Sequence, residues 1–139
     1  MKVAIVYWSG TGNTQAMADL VTEAVKEKGA DVDELEASAF GPEAVAGYDA
    51  IAFGCPAMGD EVLEEDVFEP MFSSVEGSLK GKRIALFGSY GWGGGAYMDS
   101  WLARCEADGA QVVDTFACEN APDDDARNAC IALGQKLVG

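Results

Sequence analysis

Five short apolar runs alternate along this chain with segments whose apolar residues recur at a helical period. That alternation constrains the fold more than any other feature. The runs Lys2–Trp8, Val32–Ala37, Asp49–Cys55, Arg83–Ser89 and Gln111–Cys118 read as strands. Ala16, Met17, Leu20, Val21, Ala24 and Val25 form one helical face that ends at Gly29, and Val67, Phe68, Met71, Phe72 and Val75 form a second. Trp101, Leu102 and Cys105 mark a third helix, Ala126, Cys130, Leu133 and Leu137 a fourth, and Pro42–Ala46 a short, weaker one. Pro70 is expected to bend or interrupt the second helix. Strands that alternate with helices pair in parallel, because each crossover returns the chain to the same end of the sheet. The expected fold is therefore α/β, a five-stranded parallel sheet with helices on both faces, and of the doubly wound strand orders we choose 2-1-3-4-5. With 139 residues and neither repeats nor a linker, residues 1–139 are expected to form a single domain.

Ligands of doubly wound sheets sit beyond the carboxyl ends of the strands, where the winding reverses between the first and third. Strand one runs out into Ser9, Gly10, Thr11, Gly12, Asn13 and Thr14 before a helix begins. A glycine-rich turn at a helix N-terminus aims backbone N–H groups and the positive dipole end at an anion, and four hydroxyl or amide side chains add donors. A simple turn needs one capping residue, whereas this loop supplies four, so it reads as a phosphate cradle. It lacks the Lys of a P-loop, and Gln15 stands where a dinucleotide-binding turn needs its third glycine.

The chain holds no histidine, which removes Ser-His and Cys-His catalysis and most zinc and haem sites. Cys55, Cys105, Cys118 and Cys130 form neither a C-x-x-C pair nor a disulfide framework and read as reduced thiols in or near the core. Chemistry here is expected to come from a cofactor. With 24 acidic and 9 basic residues the net charge is −15, which repels nucleic acid and anionic membranes and favours basic protein partners. The amino terminus opens into an apolar run without a cleavable signal pattern, and no stretch approaches a membrane span, so a cytoplasmic location is expected.

The run from Ile5 to Thr14, followed by Ala18 and Val21, resembles the signature of the flavodoxin family. In that family the first loop holds the phosphate of FMN without a cationic side chain. The resemblance extends to the loop after strand three, Pro56, Ala57, Met58, Gly59, Asp60 and Glu61, and to the loop after strand four, Ser89, Tyr90, Gly91, Trp92 and Gly93. Both resemble the loops that clasp the flavin ring. The short link from Cys118 to the last helix is similar to short-chain flavodoxins, and Met58 to Glu61 to the clostridial type. The resemblance implies a low-potential one-electron carrier with noncovalently bound FMN, working between basic redox proteins as a monomer. It implies further that a turned peptide at Gly59 stabilises the neutral semiquinone and that Glu61 accepts from the flavin N3–H. Met58 offers a polarizable thioether to the ring, and Trp92 is the outer stacking platform, with Tyr90 the runner-up. Relatives often carry a hydroxyl residue at the position of Pro56, where proline also removes a backbone N–H; this departure predicts weaker phosphate binding.

Trp8 and Trp101 fall more easily among core aromatics, although Trp8 borders the first loop. The acidic run Asp60, Glu61, Glu64, Glu65, Asp66 and Glu69 reads either as a solvated face or as a field that lowers the second reduction potential and steers partners. Two rivals share the fold. An NAD(P)H-dependent FMN reductase needs room for a nicotinamide over the ring and usually a positive group for the dinucleotide. A phosphoacceptor receiver domain needs acidic residues and a lysine where this chain has Trp8-Ser9, Gly54-Cys55 and Cys118-Glu119.

Overall fold

The computed structural model describes residues 1–58, 62–91 and 95–139. Five strands, β1 (Lys2–Tyr7), β2 (Asp31–Glu36), β3 (Ala50–Gly54), β4 (Arg83–Tyr90) and β5 (Gln111–Glu119), form one sheet in the order β2-β1-β3-β4-β5, with every neighbouring pair parallel. The expected order is the observed one, and strand ends differ from expectation by a single residue. Among the described residues five α-helices cover the faces: α1 (Asn13–Glu27), α2 (Pro42–Val45), α3 (Phe68–Val75), α4 (Ala96–Ala107) and α5 (Asp124–Val138). No helix among the described residues is long and apolar enough to cross a membrane.

Alternate residues of each central strand feed two cores. Val3 and Ile5 join Ala50, Ala52, Ala85 and Phe87 against Met17 and Val21 of α1 and Leu133 and Leu137 of α5. Ala4 and Val6 join Ile51, Phe53, Ile84 and Leu86 against Phe68, Phe72 and Trp101 of α3 and α4. Central strands covered on both faces have no solvent side to mark with polar residues, which is why β3 is apolar and buried throughout. The edge strand β2 keeps the polar sequence DVDELE and only partial burial.

Pro70 does not interrupt α3, which runs unbroken from Phe68 to Val75. It stands third in the helix, in the first turn, where a backbone N–H has no intrahelical partner to lose. The four cysteines are free and buried, and burial pushes the Cys105 and Cys130 thiols up to about 12.

Candidate functional site

At the carboxyl ends of β1, β3, β4 and β5 the chain encloses a cavity of about 210 Å³. Three loops meet there because the sheet's hydrogen bonding continues past the strands. Trp8 N–H donates to Gly54 O at 3.0 Å, Ala57 N–H to Ser89 O at 3.0 Å, and Asn120 N–H to Tyr90 O at 2.8 Å. Of the residues assigned from sequence, Gly10, Thr11, Asn13, Pro56, Ala57, Met58, Ser89, Tyr90 and Gly91 line this one space.

Ser9, Gly12 and Thr14 do not line it; they shape the loop that does. Ser9 Oγ accepts the Gly12 N–H at 3.0 Å. Gly12 turns the chain into α1 at a φ of 99°, a left-handed conformation that glycine adopts without strain. The buried Thr14 hydroxyl lies 3.3 Å from Ser89 Oγ and ties the first loop to the end of β4. No side chain among the described residues caps α1. By contrast, Asp123 caps α5 by accepting the Ala126 N–H at 2.8 Å. Gly59, Asp60, Glu61, Trp92 and Gly93 lie outside the described residues.

Two lining residues escaped the sequence assignment. Trp8 is half-buried and packs against the core on one side, while it also forms a wall of the cavity and of a second, smaller one with Tyr7, Ser9 and Glu36; Trp101, 2% exposed, is wholly a core aromatic. Asn120 follows β5 at a φ of 58°. An asparagine at the carboxyl end of the last strand is the one signal that could have found it, since Asn tolerates the left-handed region.

The acidic run divides in the same way. Glu65 and Asp66 are exposed, but Glu64 is 5% exposed. Burial raises the Glu64 pKa, and the N–H groups of Phe68, Asp66 and Val67 outweigh it, leaving the carboxyl below its ordinary 4.5. Glu69 forms a two-bond ion pair with Arg104 of α4 at 2.7 Å for each bond.

The residues fit a flat, phosphorylated ligand. Hydroxyl, amide and backbone N–H donors surround an uncapped helix N-terminus with no cation in the loop, and Trp8, Met58 and Tyr90 offer apolar faces beside it. The fold is thus that of the doubly wound α/β proteins, a class whose nucleotide ligands lie where the winding reverses, and the cavity opens at that point.

The flavodoxin family model matches residues 5–134. The flavodoxin of Megasphaera elsdenii is 49% identical over 96% of this chain and 96% of its own length. That of Clostridium beijerinckii is 44% identical over 96% and 97%. The solution structure of the two-electron reduced M. elsdenii protein superposes with a TM-score of 0.91 over 97% of each chain. An archaeal flavodoxin, 27% identical, superposes at 0.88 over 99% of this chain and 96% of its own. The chain belongs to the flavodoxin family; it binds FMN and transfers electrons between proteins rather than catalysing a reaction of its own.

Proposed function

We propose that residues 1–139 act as one unit that carries single electrons at low potential, with FMN held noncovalently across the carboxyl ends of β1, β3, β4 and β5. The observation that carries this reading is the uncapped start of α1 on the rim of the cavity. Its N–H groups and positive dipole end are left for a phosphate ester, with the side chains of Thr11 and Asn13 beside them. Trp8, Met58 and Tyr90 pack against the ring, and Asn120 supplies an amide to the same space. Gly59, Asp60, Glu61, Trp92 and Gly93 complete the set by their sequence positions. When bound, FMN supplies reversible uptake of electrons. The chain's own residues orient it, shield it from water and surround it with negative charge, which disfavours added electrons.

The net charge of −15 suits electropositive redox partners, a monomeric carrier and a cytoplasmic location. The purified chain is expected to be yellow and to release FMN, not FAD, on denaturation. A colourless chain that fails to take up added FMN would overturn the reading. Trp92→Ala is expected to weaken FMN binding by about 1 kcal/mol, the scale of an aromatic contact, and to restore flavin fluorescence. The same result from Tyr90→Ala alone would make Tyr90 the outer platform.

A further inference from the structure

Among the described residues Glu64 has no cation partner, and its carboxylate is spent on the backbone. Oε2 accepts the Asp66 N–H at 2.8 Å, and Oε1 accepts the Val67 and Phe68 N–H groups at 2.8 Å each. Burying a carboxylate costs several kcal/mol unless such bonds replace water, and a cap at the start of a helix needs no burial at all. The reason for the burial lies on the other side of the residue. The Glu64 N–H donates to Cys55 Sγ at 3.3 Å. Cys55 is itself fixed, since its N–H donates to Phe87 O at 3.0 Å and its carbonyl accepts the Tyr97 hydroxyl at 3.0 Å. Between these two residues the chain leaves β3 and returns. The two limbs are joined once more by Met58 N–H to Val62 O at 2.7 Å and Val62 N–H to Met58 O at 3.1 Å. Pro56, Ala57 and Met58, which wall the cavity, lie on the outgoing limb.

We propose that Glu64 is a positioning residue for the cofactor: its carboxylate fixes the returning limb of the loop after β3, and through the Cys55 contact and the Met58–Val62 rung it holds the Pro56–Met58 wall in place. This inference rests on the reading of the cavity as an FMN site. It separates Glu64 from Glu65 and Asp66, whose charges face water and act only through the field. It also predicts that the loop is held before the cofactor arrives, because none of these bonds involves the ligand.

Glu64→Gln keeps the shape but offers one acceptor oxygen where two are used, and it turns an N–H group toward a donor. In the FMN-free variant the Met58 and Val62 amides are expected to exchange with deuterium faster than in the wild type. FMN dissociation constants should rise about threefold to tenfold, the scale of one or two lost hydrogen bonds, by the same factor at low and high salt, with a shifted midpoint potential. Glu65→Gln should leave amide exchange unchanged and alter the potential only at low salt. Glu64→Asp, which keeps both oxygens, should recover part of the affinity even if Glu64→Ala does not fold. The proposal is overturned if Glu64→Gln lowers the melting temperature while affinity and potential stay at wild-type values, for then the residue is only a helix cap. It is overturned equally if its effects vanish at high salt as those of Glu65→Gln do. A wild-type chain that does not bind FMN would instead refute the cofactor reading, while the amide exchange of the FMN-free chain would still report on the loop.

Discussion

Gly88 shows how closely single atoms are fitted behind the cofactor site. A Cβ built there would lie 2.0 Å from the Cys55 carbonyl oxygen and 2.2 Å from the Tyr97 hydroxyl, the two atoms whose hydrogen bond holds the end of β3 to α4. The Cys55 carbonyl, one residue past β3, is held in place by the bond from Cys55 N–H to Phe87 O, so Gly88→Ala must break the bond to Tyr97 and push the two segments apart. The expected cost is about 3 kcal/mol, at the upper end for overpacking a core, read as a lower urea midpoint of the FMN-free protein. Tyr97→Phe removes the bond without the clash and should cost only about 1 kcal/mol. Similar losses for both would show that the hydrogen bond, not the contact, sets the cost at position 88.

Between elements, Arg104 plays the part that the apolar stripe does not. Its guanidinium meets both oxygens of Glu69 on α3, reaches Glu76 Oε2 at 3.0 Å from Nε, and lies 4.9 Å from the centre of the Phe72 ring. The helices it joins follow the loops after β3 and β4. Lysine keeps the charge but not the fork, so Arg104→Lys is expected to cost about 1 kcal/mol at neutral pH, within the range for a partly exposed network. The hydrogen bonds from Arg104 hold the Glu69 and Glu76 carboxyls below 4.5. Their contribution is therefore complete above that value and lost as pH falls through the lowered ones, and the difference between wild type and Arg104→Lys should shrink in acid. Urea titrations of both proteins at neutral and acid pH measure it.

For the molecule as a whole, carboxyls pull the pH dependence of stability in both directions. Glu34 of β2 faces α1 on the sheet's edge. Burial first, then the hydrogen bond and charge of Asp19, raise it from 4.5 to about 7. A proton shared with the neighbouring Glu76 carboxyl, then burial, raise Asp108 to about 6. A carboxyl raised in the folded state binds more protons there than in the unfolded chain. Its contribution is thus present at low pH and is lost as pH rises from the unfolded value through the folded one. The lowered Glu64, Glu69 and Glu76 act oppositely, losing their contribution as pH falls below 4.5. Stability should peak on the acid side of neutrality, and Glu34→Gln should flatten the decline between about pH 5 and about pH 8. A wild-type urea midpoint that climbs steadily over that range would contradict the assignment.

The alternation of strands and helices was legible in the sequence, because it follows from local patterns, and the order chosen among doubly wound sheets is the one observed. Apolar runs such as Ala50–Gly54 are short enough to read as strands covered on two faces, parallel strands need helical crossovers, and the turn from Ser9 to Thr14 carries its donors within six consecutive residues. Where side chains of distant segments meet was not legible. Glu64 looks like any other acid in its run until Cys55 and the start of α3 close around it. Trp8 looks like the last residue of an apolar strand until the first loop opens a cavity against it, and Asn120 joins that cavity only because β5 ends beside β4. Periodicity records which face of an element is buried; what buries it, and which polar atoms it finds there, depends on contacts across the sheet that only the assembled chain makes.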